Sequence, residues 1–271
     1  MEQQEKQEQH QLTVSDIIVR SSIQVFLADR DNPKPEGFGS GFVMEHRERF
    51  FLVSVRHVTD DPNLATFLET NLPSENVSTP IQPLGGFCYF DLFTVGHTSE
   101  IKEFEDLLKN GKKLDITFAE IKGNIELIQP EIDFTSFKIE AGYKMILDSR
   151  DTALPHQNKT YAFFGKIKHD YDGIYLKMEH AFKHGLKFHR TDKHFHIFLA
   201  REIIRDENEY KGCSGAPIID SDGLLVAVAC LVRVPSKMVY GFSIQECIKL
   251  LDIAIDTGML EDNTVDDDKS S

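Results

Sequence analysis

Tryptophan is absent from the 271 residues, and cysteine occurs only four times, as Cys88, Cys213, Cys230 and Cys247. The four are scattered, with neither a Cys-x-x-Cys pair nor metal-type spacing, which argues against a cysteine-built metal module. In a reducing compartment, three of them read as small buried hydrophobes. Long hydrophobic runs are missing too. Nothing approaches 18 uncharged apolar residues, and the opening MEQQEKQEQHQLTVSD has no apolar core of the signal-peptide kind. Read from Met1, the chain is expected in the cytoplasm. Basic residues are in short supply: 30 stand against 44 acids, for a net charge of −14. Seven acids and one lysine lie between Asp252 and the end, and the remainder is moderately acidic. Neither nucleic acid nor an anionic membrane is an expected partner.

What is present is an ordinary globular composition, 41% hydrophobic and 27% charged, which excludes a collagen-like, fibrous or mainly disordered protein. The length suits one large domain or two compact halves. Short runs rich in Val, Ile and Phe recur between turn signals, at 23–28, 41–44, 50–55, 86–95, 115–121, 161–167, 173–178, 194–200, 216–219, 224–232 and 238–242. So many short strands favour a sandwich or barrel over alternating βαβ units. Two helices are expected. In 99–110, Ile101, Phe104, Leu107 and Leu108 recur at helical spacing before Asn110-Gly111. The second begins at Ser243, where Ser243-x-x-Glu246 spells a capping box and Ile244, Cys247, Ile248, Leu251 and Ile255 form a stripe. The domain reading is a flexible leader (1–12), a first β-rich half (13–145), a second half with the terminal helix (146–260) and an acidic, disordered tail (261–271). A candidate linker lies at 139–160.

Chemistry concentrates in three segments. Lys211-Gly212-Cys213-Ser214-Gly215-Ala216-Pro217 sets a serine in a tight turn of small residues ahead of a strand. Gly212 permits a backbone geometry that aims an N–H at a developing oxyanion, with the Ser214 N–H as second donor. Phe38-Gly39-Ser40-Gly41-Phe42 leads through a hairpin to Val53-Ser54-Val55-Arg56-His57, placing a histidine at a strand end. Asp115-Ile116-Thr117-Phe118 carries an aspartate into a β-prone run, where a histidine-orienting carboxylate can sit. A serine hydroxyl attacks a carbonyl at neutral pH only with an adjacent base, itself oriented by a third group.

In this order the motifs resemble those of the trypsin-like serine proteases, and more the bacterial, intracellular HtrA-type branch than the disulfide-rich digestive enzymes. Gly39-Ser40-Gly41-Phe42 and Val55-Arg56-His57 match the family's histidine motif. Asp115-Ile116-Thr117-Phe118 matches its aspartate motif with Thr for the usual small residue, and Gly212-Cys213-Ser214-Gly215-Ala216-Pro217 its nucleophile motif. Tyr240-Gly241-Phe242-Ser243-Ile244 mirrors the closing strand, and no PDZ-type extension follows. The resemblance spans most of the chain. It implies an all-β fold of two antiparallel, chymotrypsin-like barrels with a C-terminal helix and one inserted helix. It also implies a serine endopeptidase with Ser214 as nucleophile, His57 as base, Asp115 as its orienter and the Gly212 and Ser214 N–H groups as oxyanion hole. No cofactor and no metal are implied; the expected partner is a protein or peptide substrate, with a regulatory protein as a further candidate.

The chain departs from the family pattern at several points. Cys213 replaces the usual Asp or Asn, and no Ile-Val-Gly-Gly start follows a basic residue, so activation by N-terminal cleavage is not expected. Cys213 is not the expected nucleophile, since the cysteine variants of the fold place a Gly directly after the Cys. The family's pocket-base position falls on Asn208, between Glu207 and Glu209, which would favour a basic substrate side chain if either glutamate points inward. Residues 70–112 read as an insertion. The pairs His180/His184 and His194/His196 lack matching carboxylates or cysteines and read as surface. Two other readings stand beside the active protease: an inactive trypsin-like domain that binds peptides, and a latent protease switched on by a partner.

Overall fold

The computed structural model describes residues 12–29, 34–70, 81–93, 111–122, 126–171 and 176–260. The expected 99–110 helix, most of the leader and the acidic tail lie outside these residues. Among the described residues, no helix is long and apolar enough to cross a membrane.

The first element of the described residues is a helix that the sequence reading missed, α1 (Val14–Ser21). Its signal was present: Thr13 caps it, accepting from the Asp16 N–H, while the Asp16 carboxylate accepts from the Thr13 N–H at 3.1 Å. The strands β1 (Ile23–Ala28), β2 (Pro35–His46) and β3 (Arg49–Ser54) follow, then a single helical turn, α2 (Arg56–Thr59). β4 (Ala65–Glu69), β5 (Ile81–Leu84), β6 (Phe87–Phe93) and β7 (Gly111–Glu120) complete the first body. Its sheet runs in the order β5-β4-β1-β2-β3-β7-β6. The long strand β2 changes partner midway. Pro35 to Gly41 pair with β1, whereas Phe42 to His46 pair with β3, so the sheet curls at Gly41. A Cβ at Gly41 would stand 2.9 Å from the Val53 carbonyl oxygen, which is why glycine occupies the corner.

Short pairings, β8 (Ile128–Gln129) with β11 (Gly142–Tyr143) and β9 (Ile132–Phe134) with β10 (Phe137–Ile139), lead toward the second body. The candidate linker is laced to both sides. β12 (Leu147–Asp148) pairs in parallel with β2, and Thr152 bridges to Leu225. Six strands then close a barrel in the order β13-β14-β15-β18-β17-β16. They are β13 (Tyr161–Tyr171), β14 (Leu176–Asp192), β15 (Phe195–Ile204), β16 (Pro217–Asp220), β17 (Leu225–Val232) and β18 (Ser236–Ser243). Closure removes the exposed edges that an open sheet would leave. The all-β, two-body architecture is therefore as expected: a curled sheet followed by a closed barrel.

The terminal helix α3 (Ile244–Asp256) starts where expected and buries Ile244, Cys247, Leu251 and Ala254. The capping box is not formed. Ser243 makes no side-chain cap bond: its hydroxyl donates to Gln245 Oε1 at 3.1 Å, and its N–H, which Glu246 would accept from, donates to the His194 carbonyl at 2.8 Å. One apolar core runs through both bodies, joining Phe42, Phe51 and Phe118 of the first to Phe164, Val228 and Phe242 of the second. That shared core sets the facing edges of the two bodies, and the candidate site lies there.

Candidate active site

β3 and β7 run antiparallel with Ser54 opposite Thr117. Continuing three residues along β3 reaches His57 on α2, and stepping two residues back along β7 reaches Asp115. The pairing therefore brings these side chains together. Asp115 sits in the middle of β7, not at a strand start as the sequence suggested. His57 Nδ1 lies 2.9 Å from both carboxylate oxygens of Asp115, and the His57 backbone N–H donates to Asp115 Oδ1 at 3.1 Å. With Nδ1 donating to the carboxylate, Nε2 is left to accept a proton. Helix α2 is seated against β2 at Gly39, where a Cβ would fall 2.3 Å from Val58 Cγ1.

Ser214 arrives from the other body. A 3₁₀ turn (Glu207–Glu209) follows β15, and the nucleophile turn then runs from Tyr210 into β16. Gly212 (φ +107°) and Gly215 (φ +93°) both adopt backbone that glycine alone takes readily. Contacts forbid larger residues: a Cβ would stand 2.2 Å from the Lys166 carbonyl oxygen at Gly212 and 1.8 Å from that of Ser40 at Gly215. Around the turn, the Cys213 N–H donates to the Tyr210 carbonyl, the Gly215 N–H to the Ala229 carbonyl and the Ala216 N–H to the Cys213 carbonyl. Among the described residues, the N–H groups of Gly212 and Ser214 have no acceptor. Free backbone donors of this kind are what an oxyanion would need.

His57, Asp115 and Ser214 line one cavity of 440 Å³. The Ser214 hydroxyl donates to the Cys230 carbonyl at 3.0 Å, and no hydrogen bond joins it to His57 in this structure. Cys230 offers its carbonyl because it is the extra residue of a bulge in β17, between the pairs Ala229↔Gly241 and Leu231↔Tyr240. Bulges commonly re-aim backbone beside functional sites.

The remaining expectations meet mixed outcomes. Cys213 is buried against β13, its thiol in contact range of Gly165, and burial pushes its pKa up to about 12. It stays a neutral thiol at physiological pH and is no competitor of Ser214. Asn208 does not line the cavity. Its backbone and side-chain N–H groups both donate to Asp206 Oδ1 at 2.9 Å, and the residue is exposed. Glu207 and Tyr210 reach the cavity instead, because the 3₁₀ turn rotates Asn208 outward. Among the described residues, no three His, Cys, Asp or Glu side chains gather as a metal site.

No protein-family model and no curated protein matches the chain. Among solved structures, a serine endoprotease from Yersinia pestis is similar at 12% identity and a TM-score of 0.48, over 92% of this chain and 68% of that one.

Proposed function

We propose that this chain is a serine endopeptidase of the trypsin-like kind, with Ser214, His57 and Asp115 as its triad. The observation that carries the reading is the convergence on one cavity of a serine and a carboxylate-oriented histidine, with the N–H groups of Ser214 and, two residues before it, Gly212 unpaired. Before attack, the Ser214 hydroxyl turns from the Cys230 carbonyl to His57 Nε2. Oγ then bonds to the peptide carbonyl carbon as its proton passes to Nε2, and the displaced π pair settles on the oxygen facing the Gly212 and Ser214 N–H groups. His57 returns the proton to the amide nitrogen as the C–N bond breaks. Water, deprotonated by the same histidine, releases the acyl group and restores Ser214. Under this reading residues 13–145 supply the base and its orienter, residues 146–260 supply the nucleophile, and the enzyme is a cytoplasmic one of the HtrA-like branch.

The hydroxyl resting on the Cys230 carbonyl supports a second reading, a latent protease whose serine engages His57 only when substrate or a protein partner is bound. Labelling by an alkyl fluorophosphonate tests both. Labelling lost in Ser214→Ala supports the hydrolase. Labelling that appears only on adding a protein substrate or partner supports latency. Absence of labelling under every condition leaves a peptide-binding domain without hydrolytic chemistry.

A further inference from the structure

The cavity beside Ser214 has a floor and a rim of different chemistry. Phe163, Cys213, Ala229, Cys230 and Val239 form the floor, and all five are buried. None carries a charge: burial raises the thiol pKa of both Cys213 and Cys230, so both stay protonated. Besides Asp115, whose carboxylate is engaged by His57, the charged lining residues are Glu207 and Lys211, exposed and of opposite sign. Glu209, the other glutamate beside Asn208, lines a neighbouring groove instead. Tyr210 is the wall between the two cavities, and on its ring sits the Lys183 ammonium, 4.2 Å from the centroid. Burial raises the pKa of the Tyr210 phenol to about 12, so this wall is uncharged as well.

We propose that this pocket selects substrates with an uncharged apolar side chain, aromatic or branched aliphatic, on the residue whose carbonyl Ser214 attacks. The proposal rests on the endopeptidase reading and names its substrate class. A lysine or arginine side chain reaching this floor would leave its hydration shell and meet no carboxylate there. An apolar side chain gives up no charge hydration on entry and gains roughly 25 cal/mol for each Å² it removes from water. The volume lies within the range of about 300–1,000 Å³ typical of pockets for small organic groups.

The test uses peptidyl diphenyl phosphonates that differ only in the side chain at this position: Phe, Leu, Val, Ala, Lys, Arg or Glu. An alkyl fluorophosphonate, which has no such side chain, reports separately on the Ser214 chemistry. The expected result is fastest labelling with Phe and Leu, and labelling on the order of 100-fold slower with Lys and Arg. Val239→Asp, which places a carboxylate on the floor, is expected to favour Lys and Arg. If that variant does not fold, Ala229→Val shortens the pocket and is expected to move the preference from Phe toward Ala. Equal rates across the series, or faster labelling with Lys or Arg in the wild type, overturn the proposal. Failure of the fluorophosphonate overturns the hydrolase reading alone. The pocket is then read by calorimetry with two probes that need no turnover, indole and benzamidine. Tighter binding of indole supports an apolar floor; tighter binding of benzamidine, or no binding of indole, overturns it.

Discussion

Ser40 holds the carbonyl of Gly212, 172 residues away, through a 2.7 Å hydrogen bond from its hydroxyl. The Ser40 N–H donates to the Ser214 carbonyl at 2.7 Å, and the Ser40 carbonyl accepts from the Ser54 hydroxyl at 2.8 Å. The first body thus pins two peptide planes of the nucleophile turn. Those two planes carry the Cys213 and Gly215 N–H groups, which donate to the Tyr210 and Ala229 carbonyls, so the turn is fixed on both sides of the Ser214 N–H.

Ser40 is accordingly a positioning residue. In Ser40→Ala the Gly212 carbonyl loses its partner while the backbone bond to Ser214 persists. A net hydrogen bond of about 1 kcal/mol corresponds to roughly a fivefold effect. The expected outcome is kcat lower by about that factor with KM nearly unchanged, since the oxyanion donors act chiefly in the transition state. A rise in KM at constant kcat would assign Ser40 to substrate binding instead.

Two glycines with positive φ are expected to respond differently to alanine. At Gly215 the added Cβ would lie 1.8 Å from the Ser40 carbonyl oxygen, so the turn must move or the chain must fail to fold. At Gly86 (φ +72°) nothing lies within 4 Å, and Gly86→Ala bears only the backbone penalty of about 1–2 kcal/mol. Urea unfolding of the pair measures the difference. Similar losses at both positions would mean that the contact between the bodies is not tight.

Much of this site is legible in the sequence because its parts are local. A histidine after a strand, an aspartate opening a β-prone run and a serine among small residues each announce themselves within a few positions, and their order fits two facing bodies. What stays hidden depends on rotation and tertiary contact. Asn208 was counted into the pocket along the chain, but the 3₁₀ turn directs it outward and brings Glu207 and Tyr210 in. Ser243 looks like half of a capping box, yet its hydroxyl goes to Gln245 and its N–H to the His194 carbonyl. The bulge at Cys230 leaves no signature in an apolar run that reads as continuous strand. By contrast, α1 was readable from Thr13-x-x-Asp16, a variant of the box with the shorter acid.

Asp115→Asn tests whether the carboxylate serves the histidine. An amide in the same place donates as readily as it accepts, and a donor facing Nδ1 stabilises the tautomer protonated at Nε2, which cannot take the serine proton. It also removes the charge that stabilises the imidazolium. The expected loss in kcat is on the order of 10⁴, by analogy with serine-histidine-aspartate enzymes in general. Rescue at raised pH would indicate that the histidine tautomer is not what was lost.

Lys144 gives the pH dependence a definite sign. Its stem is half-buried, but its ammonium is tucked beneath α1, donating to the Ser22 carbonyl at 2.6 Å. Burial lowers its pKa from 10.5 to about 7; the nearby Lys166 ammonium and Arg20 add to this, and Glu69 opposes it. Glu69 is held by Lys166, whose Nζ lies 2.6 and 2.5 Å from its two carboxylate oxygens, so it only partly relieves Lys144. A group whose pKa is lower folded than unfolded binds fewer protons in the native state between the two values. Stability therefore rises with pH from about 7 toward 10.5, and below pH 7 the penalty is present in full. Lys144→Met lacks this contribution, and the other lysines cancel in the comparison. Melting temperatures of wild type and variant, taken from pH 6 to pH 10, should show the wild type gaining on Lys144→Met only above about pH 7. A constant difference would mean that Lys144 keeps its ordinary pKa, with its ammonium solvated.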